Sequence, residues 1–293
     1  MNVEILEKIV ELIKDKKINQ LHNLLDTINC ADFPALFEKL GEVDKEYIPI
    51  IYRLLPKDKA AEVFVELDPD LQEQLINVFT DKELKRVIDE LFMDDTVDLI
   101  EEMPSNVVKR ILKNIKPDNR KIINELLKFP EDSAGSIMTT EFVELKKDMT
   151  VEKAFEIIKK TGIKKETVYI CYVVDQYRVL IGTVAIKDLL VSERDVLIQD
   201  ILEENVISVL TTEDKEEVAK MFDKYNFMAL PVVDKDNRLV GIVTIDDAID
   251  VMQEETTEDF EKMAAMLPAE DTYFKTSVFT HAKNRIMWLL ILM

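Results

Sequence analysis

Glycine is nearly missing from this chain: five occur in 293 residues, at positions 41, 135, 162, 182 and 241. Glycines so scattered cannot build a phosphate-cradling loop of the P-loop or dinucleotide type, which needs several close together. Positive charge is also scarce, with 38 Lys and Arg against 59 Asp and Glu and a formal net charge of −21. A duplex nucleic-acid surface needs clustered Lys and Arg, so no nucleic-acid partner is expected, and cations are favoured as ligands. Cys30 and Cys171 are the only cysteines, and they lack the CxxC or Cys/His spacing of a zinc site or redox pair. Two isolated thiols fit a reducing cytoplasm. His22 and His281 lie in different regions, and no Ser or Cys arrangement points to a nucleophile, so no catalytic residue and no enzyme is expected. Met1 to Val10 mixes Glu4, Glu7 and Lys8 into an amphipathic pattern and is expected to be neither a signal peptide nor an anchor.

What is present is apolar material in repeating order. At 47% hydrophobic the chain can form real cores, and its length suits two or three domains. From Leu55 to Phe129 it divides into units of about 12 to 14 residues, beginning LPKDKAAEVFVEL, DPDLQEQLINVF, TDKELKRVIDEL, FMDDTVDLIEEM, PSNVVKRILKNI and KPDNRKIINELL. Each opens on a capping or N1-type residue and carries apolar positions at i, i+3 and i+4, so each is expected to be a short helix. Such helices cannot bury their faces alone and stack into a superhelix. Met1 to Leu25 reads as a further helix pair, making residues 1 to about 130 one all-helical domain.

Near Pro130 the pattern changes to a tandem repeat. Ile137, Val143, Leu145 and Ala154 recur 64 positions on as Ile201, Ile207, Val209 and Val218. Val173-Val174-Asp175 and Gly182 recur 59 positions on as Val232-Val233-Asp234 and Gly241, so a five-residue deletion lies near the end of the first helix. Each copy reads strand, helix, strand, strand, helix, with a turn at 175–178 or 234–237 between the paired strands. Between Arg238 and Lys262 stand eight carboxylates and no Lys or Arg. On a helix, Asp247, Asp250, Glu254, Glu258 and Glu261 fall within an arc of about 80°. Ile245, Ile249, Met252, Phe260 and Met263 cluster roughly opposite. Like charges at i,i+4 destabilise a helix, and with no local counter-charge this strip reads as a cation site or as a solvated acidic face. After Lys275, Lys283 and Arg285 the sequence runs IMWLLILM. Eight apolar residues are too few to span a membrane, but a basic cluster before Trp288 and an aliphatic run is expected to be the cytoplasmic entrance to a membrane helix. A short core helix is the alternative.

The repeat resembles a pair of cystathionine-β-synthase-type (CBS) domains, a likeness carried by YICYVVDQYRVLIGTVAIKDLLV and FMALPVVDKDNRLVGIVTIDDAIDVM. Around it stand, in order, the FMDDTVDLIEEMP array, EDSAGSIMTTEFV, DVMQEETTEDFEKM and the basic segment entering the apolar run. With these, essentially the whole chain is similar to the MgtE family of magnesium transporters. The resemblance implies an α plus α+β architecture. A helical superhelical N-terminal domain over 1–130 would lead to CBS domains over 131–199 and 200–253. An acidic plug or connecting helix over 247–275 and the start of a first membrane helix over 283–293 would follow. It implies a multi-pass membrane homodimer whose residues 1 to about 283 are cytoplasmic and sense Mg²⁺. Mg²⁺ held between acidic surfaces of the helical domain, CBS pair and plug helix would favour the closed pore.

On the same resemblance, Asp247, Asp250, Glu255, Glu258 and Asp259 match sensing positions on the plug helix. Asp94 and Asp98, at i,i+4 in DDTVD, match positions on the helical domain, Asp214 and Glu216 an acidic pair on the second repeat, and Gly135 a position whose carbonyl faces an interface. As residues, Asp94 or Asp95, and Thr212 or Asp214, could equally be helix caps. The resemblance also implies ATP at the CBS pair. Thr244-Ile245-Asp246-Asp247 has a Ser/Thr-x-x-Asp spacing for ribose, and the first copy keeps Asp188 without the hydroxyl. Lys187 could meet a phosphate, and Tyr169 or Phe227 could stack on a base or lie in the core. Two other readings remain: a nucleotide-sensing CBS module of a different transporter, and a soluble helical and CBS scaffold.

Overall fold

A computed structural model describes residues 3–263, which form two compact units divided after Lys128. The basic segment, the apolar run over 283–293 and the distal part of the connecting helix lie outside the described residues. Among those described, no helix is long and apolar enough to cross a membrane.

The first unit is helical throughout: α1 (Val3–Lys14), α2 (Ile18–Asp26), α3 (Phe33–Val43), α4 (Tyr47–Leu54), α5 (Lys57–Val65), α6 (Pro69–Val78), α7 (Asp81–Ile88), α8 (Met93–Glu102), α9 (Ser105–Asn114) and α10 (Pro117–Leu126). Each 12-to-14-residue unit of the sequence holds one helix, and its i, i+3, i+4 residues form the core. Leu75, Ile76, Leu84, Val97 and Ile111 are all but inaccessible. Aromatics fill the space earlier in the unit, with Tyr52 packed edge-on to Phe64 at 6.3 Å and tilted against Phe79 at 5.2 Å.

The starts of these helices depart from expectation. Asp68 accepts the Leu71 N–H, and Thr80 with Glu83 forms a full capping box, as their positions foretell. Pro56 and Pro104 stand at the N-cap rather than inside the first turn, and Phe92 precedes α8 with no side-chain cap. The ends carry the mark of the missing glycine. No glycine has a positive φ, so none closes a helix in the left-handed conformation. Lys16 and Asn226, with φ of 57° and 55°, take that place after α1 and α13 (Lys215–Tyr225). Elsewhere cations from neighbouring helices satisfy the terminal carbonyls. Lys59 of α5 donates to the Leu25, Asp26 and Ile28 carbonyls after α2. Arg53 of α4 and Arg110 of α9 donate to Val78, Ile76 and Phe79 at the end of α6, and Lys85 of α7 donates to Asn114 at the end of α9.

The second unit contains the repeat as two three-stranded sheets. The first copy is β1 (Val143–Leu145), α11 (Val151–Thr161), β2 (Ile170–Val174), β3 (Leu180–Ala185) and α12 (Ile186–Val191). The second is β4 (Val209–Leu210), α13, β5 (Ala229–Val233), β6 (Leu239–Thr244) and α14 (Ile245–Met263). In both, the first strand runs parallel to the second and the second pairs antiparallel with the third. Leu145 faces Val173 as Val209 faces Val232, and Val173 faces Gly182 as Val232 faces Gly241. The five-residue deletion falls after the first helix, where 162–169 links α11 to β2 but only 226–228 links α13 to β5. Asp175 and Asp234 build the turns, each accepting two backbone N–H groups, with Arg178 and Asn237 left-handed at φ of 66° and 59°.

The copies complete one another. The segment leading into the first copy pairs Thr139 with Ile242 of β6, and the segment leading into the second pairs Glu203 with Thr183 of β3. Gly241 and Gly182 lie beneath these crossings. A Cβ on Gly241 would stand 2.7 Å from both the Met138 sulfur and the Thr139 carbonyl oxygen. Phe142, Tyr172, Val174, Ala229, Val233 and Ile242 form a core shared by both sheets.

Gly241→Ala is expected to destabilise the second unit by about 1–3 kcal/mol in a urea titration, because the Thr139 backbone carbonyl, which cannot yield as the Met138 side chain can, also blocks the added methyl. A pH effect follows for Glu83. The Arg53 guanidinium and the Thr80 backbone N–H hold its carboxyl at about 2, below its ordinary 4.5, so its contribution is present above 4.5 and is lost as pH falls toward 2. Glu83→Gln should therefore melt below the parent at pH 7, with the difference narrowing between pH 4.5 and 2.

Candidate cation-responsive face of the second repeat

Helix α14 begins where β6 ends, and Thr244 at that junction is buried. Its hydroxyl donates to Asp247 Oδ2, and its backbone N–H donates to the same oxygen at 3.2 Å. The Thr-x-x-Asp spacing taken above for a ribose element thus forms a helix-start clasp, with its hydroxyl and carboxylate engaged on each other. In the first copy Ala185 holds the matching place with no side-chain cap.

The helix presents a different face to the protein from the one its pattern suggests. Ala248 and Val251 are buried and Met252, Glu255 and Glu258 half-buried, whereas Ile249, Phe260 and Met263 are exposed, Phe260 at 62%. The packed seam therefore runs through 248, 251, 255 and 258 against α13, carrying two carboxylates inward and three large apolar residues outward. Periodicity fixes which residues share a face, but the sheet to which β6 belongs sets the rotation of the helix that leaves it.

That rotation brings Glu255 toward Glu216. Partial burial, then Glu216 and Glu258, raises the Glu255 carboxyl above its ordinary value. Asp250 is raised by partial desolvation, then by Glu254 and Asp246 one turn away on either side. The view that the chain supplies no local counter-charge is corrected. Lys262 lies 2.6 Å from Glu258, and Lys215 on α13 lies 3.5 Å from Glu254, coming from the neighbouring helix and so invisible to local sequence. Lys220 pairs with Glu216 at 2.7 Å and with Glu217 at 2.9 Å. Asp259 and Asp250 are exposed.

Asp214 caps α13, its Oδ1 accepting the N–H groups of Glu216 at 2.9 Å and Glu217 at 3.3 Å. Gly135 donates its N–H to the Thr211 carbonyl at 3.0 Å, and a Cβ there would meet the Phe129 ring. In the first unit, Asp94 and Asp98 share a face of α8. Asp94 is buried in its first turn and accepts the Asp95 N–H at 3.1 Å, and Asp98 is exposed. With Phe92 at the N-cap, neither Asp94 nor Asp95 is the capping residue.

Among the described residues, no three His, Cys, Asp or Glu side chains gather closely enough to hold an ion. Across α13 and α14, the carboxylate of Glu216 approaches that of Glu255. Of the nucleotide candidates, Tyr169 is exposed, and its carbonyl accepts the Ile186 N–H at 2.8 Å at the start of α12, the helix that carries Lys187 and Asp188. Phe227 stacks on Tyr225 at 5.3 Å and packs edge-on to Phe222. It is half core.

Residues 28–132 match the MgtE intracellular N domain, and residues 134–195 and 198–254 each match the CBS domain. The chain is 32% identical over 285 residues to a magnesium transporter MgtE of Thermus thermophilus, covering 96% of this chain and 63% of that one. It therefore spans less than two thirds of that relative's length. A crystal structure of the soluble part of a magnesium transporter is similar with a TM-score of 0.77 at 32% identity, covering 86% of this chain and 98% of that one. The cytosolic domain of the Mg²⁺ channel MgtE in complex with ATP is similar with a TM-score of 0.78 at 33% identity, covering 84% and 99%.

Without divalent cations at pH 7, Glu255→Gln is expected to raise the melting temperature of the chain, on the order of 1 °C, by relieving its repulsion from Glu216 and Glu258. The gain should shrink in 1 M NaCl, where the Debye length falls to about 3 Å.

Proposed function

The chain belongs to the MgtE family of magnesium transporters, and from that premise we propose that it is the cytosolic, Mg²⁺-sensing gating region of a homodimeric membrane transporter or channel. The observation that carries this reading is the approach of Glu216 on α13 to the half-buried Glu255 on α14, which with partial burial and Glu258 raises the Glu255 carboxyl against the opposing pull of Lys215 and Lys262. In this reading a helical domain over 1–130 and CBS domains over 131–199 and 200–253 precede a connecting helix over 247–275. Residues 1 to about 283 are cytoplasmic, and the membrane is reached through the segment from 283 onward.

Asp247, Asp250, Glu255, Glu258 and Asp259 would hold Mg²⁺ on α14, with Asp214, Glu216 and the Gly135 carbonyl nearby in the chain's second unit and Asp94 and Asp98 on the first. Bound Mg²⁺ would supply charge neutralisation and no chemistry. Without it, carboxylates ~6 Å apart repel by about 0.7 kcal/mol per pair in water and by more where water is partly excluded. A handful of such pairs reaches the ~5.5 kcal/mol that moves a two-state equilibrium from 1:99 to 99:1. Relief of that repulsion favours the closed pore.

Self-association is supported by apolar side chains left exposed at matching places in the two copies: Tyr169 with Met228, and Leu190 with Ile249, each 59 positions apart. A second reading concerns ATP, supported by the solved relative in complex with it and by exposed Tyr169 at the start of the helix that carries Lys187 and Asp188. Phe227 and Thr244 would contribute from the second copy.

In small-angle scattering at matched ionic strength, millimolar MgCl₂ is expected to reduce the radius of gyration of the 293-residue chain. The combined Asp247→Asn, Asp250→Asn, Glu255→Gln, Glu258→Gln and Asp259→Asn variant, which keeps an acceptor for Thr244, should lose most of that response. An unchanged radius in the parent would count against sensing.

A further inference from the structure

Segment 132–135 lies along 211–215. Ala134 donates to the Glu213 carbonyl at 2.7 Å, Gly135 to Thr211 at 3.0 Å, and the Lys215 N–H to the Asp132 carbonyl at 3.1 Å. From the end of this ladder the Lys215 side chain, only 16% exposed, sets its ammonium 3.5 Å from Asp132 on one side and 3.5 Å from Glu254 of α14 on the other. It stands in the first turn of α13, where the helix dipole disfavours a cation, so its neighbouring carboxylates rather than its own helix hold it there. Its field also reaches Glu255, whose carboxyl it favours in the charged form. No other Lys or Arg described on this face has a side chain so enclosed: Lys220 is 55% and Lys262 63% exposed.

We infer that Lys215 is a resident counter-cation of the acidic helix: it takes the place beside Glu254 that a free cation would otherwise occupy, and so sets the Mg²⁺ concentration at which this face responds. The inference rests on the sensing reading above. It makes Lys215 a tuning residue, not a ligand. A single positive charge ~6 Å from a divalent ion opposes its binding by about three- to tenfold once salt screening is included.

The test titrates MgCl₂ at constant ionic strength into the 293-residue chain and follows backbone amide shifts over 215–217 and 254–259 by NMR. Lys215→Met is expected to lower the half-saturating Mg²⁺ concentration about three- to tenfold, and Lys215→Arg to leave it within about twofold. A folded Lys215→Met with an unchanged or raised midpoint overturns the inference. Should Lys215→Met fail to fold by circular dichroism, Asp132→Asn decides. Asp132 is 81% exposed, and its loss directs the Lys215 charge onto α14 alone, so the midpoint should rise, and no rise overturns the inference. A parent chain that shows no saturable Mg²⁺ shift overturns sensing itself, a result distinct from a parent that titrates and a Lys215→Met variant that titrates identically.

Discussion

A strand at the rim of a sheet exposes backbone donors and acceptors that another segment or water must satisfy. In each repeat here the third strand meets that requirement with the leading segment of the other copy, Thr139 on Ile242 and Glu203 on Thr183. Two of the five glycines lie beneath these crossings because a side chain would collide with the backbone passing over them. Neither copy is complete alone, so the sheets, their common core around Tyr172 and Ile242, and the helices leaving β3 and β6 form one body. The rotation of α14, and with it the identity of the carboxylates that face α13, follows from this reciprocal pairing.

Alongside ion pairs within single helices, such as Lys262 with Glu258, several cations reach from one element to the next. In the helical unit, where among the described residues Lys16 alone takes the left-handed place, Lys59, Arg53, Arg110 and Lys85 reach across to carbonyls at other helix ends. In the second unit Lys215 reaches from α13 to α14 in the same manner. In a chain of net charge −21 these few cations join one element to the next. Glu216 and Glu255, facing one another across α13 and α14, keep a repulsion that the fold tolerates.

Much of this was legible before folding was considered. Capping residues and i, i+3, i+4 spacing identified a helix in each unit from Leu55 onward, because those signals are local and act within one turn. Two sequence offsets identified the two copies and a five-residue difference near the end of the first helix, because a duplicated unit retains its order of strands and helices. The MgtE-like order of motifs pointed to the family. Illegible were the caps displaced to Pro56, Phe92 and Pro104, and the Thr244 to Asp247 clasp, whose spacing serves a ribose contact and a helix start equally well.

By itself the sequence determined which residues lie together on α14, since 3.6 residues per turn is a property of the chain. Only the tertiary structure decided which of those faces is packed. Ala248 and Val251 are buried while Ile249, Phe260 and Met263 are exposed, on a helix that starts directly from the end of β6 and packs against α13. The same packing turned Glu255 toward Glu216 and brought Glu254 to Lys215. No local pattern encodes a counter-charge 39 residues away, since its effect depends on distance through space.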